Sequence, residues 1–166
     1  MENIQDSVAR DFFNKGIDFA KNKKYQKAQT EFEKANNLEP KNILIVNSLG
    51  LVSQALEDFE ESESWFQEAL SIDSLFVNTY INYGTCLNSI ENYKLAIEIM
   101  EIGRTKTNNS NDIALLCYNL AISYLNSGDC NKAKETIEIG LSKLTDSSMI
   151  REFKDFKREI FEICAE

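Results

Sequence analysis

The chain has no histidine and a single proline in 166 residues. Without histidine the commonest general base, the usual partner of a Ser or Cys nucleophile and the commonest transition-metal ligand are all missing. Hydrolase and zinc-enzyme readings lose their footing. The four cysteines, Cys86, Cys117, Cys130 and Cys164, stand far apart with no CxxC pair. That spacing predicts neither a zinc site nor a disulfide scaffold, and reads as reduced, mostly buried small hydrophobes. No apolar run approaches the roughly 20 residues that span a bilayer, and no basic leader precedes an apolar stretch. The expectation is a soluble cytoplasmic protein. Phosphate-binding glycine loops, calcium loops and a nucleophile beside a base are also absent, so no cofactor, metal or enzymatic activity is expected.

Positive charge is scarce as well. The 18 Lys and Arg face 27 Asp and Glu, a net charge of -9, with a pI near 4.7. Nucleic acid and anionic membranes both recruit basic surfaces, so neither is an expected partner. The shortage is local: residues 42 to 93 hold eight acids and no Lys or Arg.

What the chain does have is 43% apolar and 27% charged residues, a globular balance suited to one domain over residues 1–166. It also repeats. Gly16, Gly50 and Gly84 are 34 residues apart, and the neighbours recur with them: Tyr25, Phe59 and Tyr93; Ala28, Ser62 and Ala96; Phe32, Phe66 and Met100; Ala35, Ala69 and Gly103. After a three-residue insertion near TNNSND, a fourth copy runs through Ala121, Tyr124, Gly128, Cys130, Ala133, Ile137 and Gly140. Each copy reads as two helices of about a dozen residues, with small residues where helices approach and large ones filling the space opposite. Gly16 and Gly50 lie inside apolar periodicity that continues through them, where glycine costs about 1 kcal/mol relative to alanine. Close contact, not a turn, is the reason for them.

The copies fall at approximately 9–42, 43–76, 77–110 and 114–146. The segment 147–164, SSMIREFKDFKREIFEIC, places Met149, Ile150, Phe153, Phe156, Ile160, Ile163 and Cys164 on one stripe. It reads as a helix capping the last copy, with Ser147 or Ser148 as its own cap. Phe161 and its neighbours offer the alternative of contact with a second chain.

The segments FFNKGIDFAKNKKYQKAQTEFEKANNLEP, VNSLGLVSQALEDFEESESWFQEALSIDS, YINYGTCLNSIENYKLAIEIMEIGRTKTN and CYNLAISYLNSGDCNKAKETIEIGLSKLT resemble the tetratricopeptide repeat. The resemblance covers roughly residues 9 to 145 and is best in the first copy, which Pro40 closes; Ser53 and Ser62 depart from it. It implies an all-α, right-handed α-solenoid of about four helix pairs plus a C-terminal capping helix. It also implies an adaptor or chaperone-like scaffold that holds a peptide segment of a partner protein in a concave groove. A self-associating homo-oligomeric scaffold is the alternative. The size and acidity are also similar to type III secretion chaperones, although the first copy begins without the N-terminal arm usual there.

On that pattern the groove positions are Phe13 and Ile17 in copy one, and Leu44, Asn47 and Leu51 in copy two. Asn78, Ile81, Asn82 and Thr85 follow in copy three, and Tyr118 and Ile122 in copy four. Their amides suit a peptide backbone and their apolar side chains suit its anchors. Replacing Tyr118 and Leu51 together with alanine is expected to weaken capture without unfolding the chain. The basic clamp some family members use for a C-terminal carboxylate is missing, since Phe13, Ile17, Ser48, Asn78 and Asn82 stand at its positions. A second face is the turn and helix of copy two, LEDFEESESWFQEAL, where Glu57, Asp58, Glu60 and Glu61 beside Trp65 form an acidic patch for a basic partner segment.

Overall fold

The computed structural model describes residues 3–144 and 147–165. Among these the backbone forms nine helices and no strand: α1 (Ser7–Lys21), α2 (Tyr25–Leu38), α3 (Ile43–Ala55), α4 (Phe59–Ile72), α5 (Val77–Ser89), α6 (Tyr93–Arg104), α7 (Ser110–Asn126), α8 (Cys130–Lys143) and α9 (Ser147–Ile163). The fold is all-α, in the class of helix-pair solenoids.

Every hairpin within a pair is built on the same two-residue device. Lys23, Glu57, Glu91 and Gly128 hold the left-handed region at φ 56, 64, 61 and 84°. Each follows the end of a first helix, where such a residue lets two N–H groups turn back onto orphaned carbonyls. Lys23 N donates to the Ala20 carbonyl and Lys24 N to that of Phe19, both at 2.9 Å. The same pair of bonds recurs at Glu57/Asp58, Glu91/Asn92 and Gly128/Asp129. The second residue then caps the next helix: Asp58, Asn92 and Asp129 accept from the backbone N–H of Glu61, Leu95 and Lys132, whereas Lys24 has no such bond. Negative charge at this point is favourable by about 0.3–1 kcal/mol.

The chain divides into two compact units, Met1–Thr79 and Tyr80–Glu166. In the first, α1, α2, α3 and α4 pack in sequence. Their core joins Ala9, Ala28, Phe32, Ile45 and Leu49 in one cluster and Ile43, Val46, Ala69 and Phe76 in another. The glycines now show what they accommodate. A Cβ on Gly16 would lie 2.5 Å from the Phe32 ring, and one on Gly50 would lie 2.6 Å from that of Phe66. Each glycine makes room for the aromatic 16 residues later, on the second helix of its own pair. Ile4 is buried in the first cluster, and the chain before α1 is pinned by Glu39, whose Oε2 accepts from the N–H of Gln5 (2.7 Å) and Asp6 (2.9 Å).

In the second unit α6, α7, α8 and α9 pack in sequence. Gly84 receives Met100 as Gly50 receives Phe66. Gly140 lets Cys117 and the Phe153 ring approach α8. Helix α9 buries Phe153 and Ile160, half-buries Phe156, and leaves Phe161 and Ile163 exposed. It begins at Ser147, so the residue before it and the Ser147 side chain, where a cap was expected, lie outside the described residues.

The cysteine expectation needs correcting. Cys86 and Cys117 are free and buried, but Cys130 and Cys164 form a disulfide across 34 residues. The first residue of α8 and the residue just past α9 meet because α9 folds back along α8. Linear spacing carries no trace of that juxtaposition.

Candidate binding surfaces

Charge is distributed by helix type. Helices α3 and α5 contain no charged residue, and α7 contains only Asp112. The acids and bases of the repeats are concentrated on α1 and the second helices.

In the first unit this leaves an apolar pocket of about 180 Å³, lined by Ile17 and Ala20 of α1, Tyr25 and Phe32 of α2, and Ser48, Leu51, Val52 and Ala55 of α3. No charged side chain lines it. Leu51 is 41% exposed. Two predicted groove residues, Ile17 and Leu51, meet here. The remaining first-unit positions do other work. Phe13 lies with its ring 5.5 Å from that of Phe32 and belongs to the core margin. Leu44 packs on the second cluster, and Asn47 is buried at 7% exposure. Asn78 is exposed.

In the second unit one polar groove position, Thr85, makes hydrogen bonds within the fold while remaining exposed. The Thr85 hydroxyl lies 2.8 Å from the Ile81 carbonyl and 3.2 Å from Asn119 Oδ1. Ser123 Oγ donates to Asn88 Oδ1 at 2.8 Å. These side chains bind α5 to α7. Asn119 and Ser123 were not singled out in the sequence, although Asn119 stands one 34-residue period after Thr85. Ile81, Asn82 and Ile122 are half-buried.

Tyr118 is half-buried under α9. Its ring lies 4.9 Å from Phe153 and 4.8 Å from Phe156, both on α9. Burial, then the charge and hydrogen bond of Glu152, push its phenol above the ordinary tyrosine value. The double replacement of Tyr118 and Leu51 is therefore no clean probe of a groove. Around Tyr118 a second, larger hollow of about 580 Å³ is lined by charged α9 residues, including Arg151, Glu152, Asp155 and Arg158; Arg158 pairs with Asp155 at 3.1 Å. Nearby, Tyr124 donates to Glu101 Oε1 at 3.2 Å. Burial and that carboxylate raise its pKa to about 12.

The acidic patch contracts. Asp58 is a helix cap. Glu61 Oε2 accepts from Ser53 Oγ (2.8 Å) and Gln29 Nε2 (2.9 Å), tying three helices together. Trp65 is half-buried against both first-unit clusters, and its indole N–H is buried without a partner. Glu57, Asp58 and Glu60 remain exposed. Among the described residues no three of Cys, Asp and Glu converge on a metal-sized site, and no helix is long and apolar enough to cross a membrane.

The architecture is that of a helical-repeat protein, and comparison with known proteins narrows it. The tetratricopeptide-repeat family model matches residues 45–74. A curated relative, the RNA polymerase-associated protein CTR9 of Caenorhabditis elegans, is 25% identical over 130 residues, 78% of this chain and 11% of that protein. The chain thus spans about a tenth of that relative's length. Among solved structures, a thermophilic tetratricopeptide-repeat protein of Thermus thermophilus superposes with TM-score 0.77 at 15% identity, over 92% of this chain and 81% of that one. YrrB, described as having an unusual peptide-binding site, gives 0.70 at 20% identity over 90% and 75%. The TPR2B domain of yeast Sti1, solved in a complex with pHsp70, gives 0.69 at 18% over 72% and 98%. These structural likenesses establish the fold. The chain has the fold of tetratricopeptide-repeat proteins, and residues 45–74 match that repeat.

Proposed function

We propose that this protein is a binding module that captures an uncharged, apolar-anchored segment of a partner protein, seating one large side chain in the pocket formed by Ile17, Tyr25, Leu51 and Val52. The observation that carries this reading is the pocket's composition: about 180 Å³ between two first helices with no charged lining residue. Repeat folds use such surfaces for extended or helical segments. Burying one Leu or Phe side chain is worth about 1.5–3 kcal/mol, well short of the roughly 8 kcal/mol of a micromolar complex. The anchor therefore sets selectivity, and further contacts along the segment supply the rest of the affinity.

The absence of charge at the pocket has a measurable signature, because only charged contacts are strongly screened by salt. Peptides selected from a random library on the full chain should be rich in Leu, Ile and Phe and poor in charge. Their affinity should change by less than about twofold between 50 and 500 mM salt. Leu51→Asp should weaken them by at least about tenfold, while the helical signal persists because that side chain is already 41% exposed. Selection of basic peptides with steeply salt-dependent affinity, or indifference to Leu51→Asp, would reject this reading.

A further inference from the structure

We propose that the Cys130–Cys164 disulfide is a thiol–disulfide exchange site, opened by a dithiol reductant, whose state decides whether the last two turns of α9 stay docked on α8. This inference is independent of the pocket in the first unit.

Accessibility separates the four cysteines. Cys86 and Cys117 are 1% and 0% exposed, whereas Cys130 and Cys164 are both partly exposed at the surface of their unit. Exchange requires a thiolate to reach a disulfide sulfur, and this pair is within reach in the folded chain.

The anchoring of α9 is uneven along its length. Its first half is held by apolar packing: Phe153 is 1% exposed and sits against Gly140, and Tyr118 stacks on Phe153 and Phe156. In the last two turns Ile160 alone is sealed, while Phe161 and Ile163 are 40% and 51% exposed. The other noncovalent ties there are polar or peripheral. Lys157 pairs with Glu138 at 2.7 Å, Lys134 Nζ donates to the Cys164 carbonyl at 3.1 Å, and both lysines lie about 5 Å from the centre of the Phe161 ring. Exposed ion pairs of this type hold little. The covalent clasp joins the end of this weakly packed segment to the start of α8.

The sulfurs are chemically unequal. Cys130 is the first residue of the 14-residue helix α8, preceded by its cap Asp129. Although the Lys132 N–H is taken by Asp129, the dipole of a helix start favours a thiolate, which makes Cys130 the leaving group. The reductant's thiolate attacks Cys164 Sγ, the Cys130–Cys164 bond breaks, and its electron pair departs with Cys130 as thiolate. The reductant's second thiol then attacks the mixed disulfide and leaves as part of an oxidised, cyclic disulfide. Two electrons and two protons pass from the dithiol to the chain, which ends with thiols at Cys130 and Cys164. The freed turns then fray and uncover Ile160.

The test uses the full chain and dithiothreitol as the dithiol probe. Mass-spectrometric thiol counting of the aerobic protein after unfolding should find two alkylatable thiols, those of Cys86 and Cys117. Dithiothreitol should raise the count to four without denaturant. Hydrogen exchange over residues 157–163 should then accelerate by at least about tenfold, while residues 149–154 change by less than about twofold. Cys164→Ser should show the fast exchange at once and not respond to dithiothreitol. A bond that yields only after global unfolding, four free thiols in the aerobic protein, or equal exchange in oxidised and reduced chains would each overturn the proposal.

Discussion

Replacing Gly50 with alanine puts a Cβ 2.6 Å from Phe66 Cε1, 2.8 Å from Cδ1 and 3.0 Å from Cζ. Favourable carbon contacts lie at about 3.5–4.0 Å, so the overlap is near 1 Å against a ring that is itself fully buried. The backbone cannot easily retreat, because Ser62 Oγ donates to the Gly50 carbonyl across the same contact at 2.9 Å. Two effects oppose each other. Alanine in a helix interior gains about 1 kcal/mol over glycine, and overpacking a filled core costs about 1–3 kcal/mol. The rigid ring decides the sign, and a net loss of up to about 2 kcal/mol is expected. Phe66→Leu removes Cε1 and Cζ and leaves Cδ carbons free to rotate away from the new methyl, at its own cost of about 1–2 kcal/mol. In that background Gly50→Ala should be neutral or stabilising, a coupling of about 1–2 kcal/mol. Urea unfolding followed by fluorescence reads this directly, because Trp65, the chain's single tryptophan, sits on α4 in the same unit. A higher midpoint for Gly50→Ala alone, or an unchanged loss in the Phe66→Leu background, would refute the claim that the ring is what glycine serves.

Lys24→Asp supplies the one missing cap among the four hairpins and should stabilise α2 by about 1 kcal/mol, seen as a rise in thermal midpoint; Asp129→Ala should lose a similar amount. Burial pulls the Glu39 carboxyl upward, but hydrogen bonds from Asp6, Asn42 and Gln5 outweigh it and leave it below the ordinary 4.5. Its contribution is therefore complete above that value and is lost as pH falls through the depressed folded value, so Glu39→Gln should reduce urea stability at pH 7 and flatten its acid decline. Tyr118→Ala should cost about 2 kcal/mol, less than for a fully buried aromatic, and speed hydrogen exchange in α9. A loss of peptide binding with unchanged stability would restore Tyr118 to the groove.

The helices, their pairing and the lid were legible because they depend on periodic apolar and small residues, and a 34-residue period repeats the packing problem that each residue solves. The stripe on 147–164 likewise placed Phe153 and Ile160 correctly at the buried face of α9. Reading which face carries binding went less far. That Ile17 and Leu51 share one pocket follows from their places in adjacent copies at matching register. The contacts of Tyr118 with Phe153 and Phe156 were not legible because those rings arrive 35 and 38 positions later, from a helix outside the repeat. Glu61 and Trp65 looked like surface because charge and amphipathic side chains usually are; hydrogen bonds from Ser53 and Gln29, and packing on two clusters, turned them inward.

Sequence alone thus determined the repeating helix pair, the glycine positions and the poverty of charge on α3, α5 and α7, since each follows from local propensity and period. Tertiary structure alone decided which residues the glycines accommodate, that Thr85 and Asn88 are spent between helices, and that Cys130 meets Cys164. Those outcomes depend on how one helix is laid against another. A distance of 34 residues along the chain says nothing about that until the chain has folded.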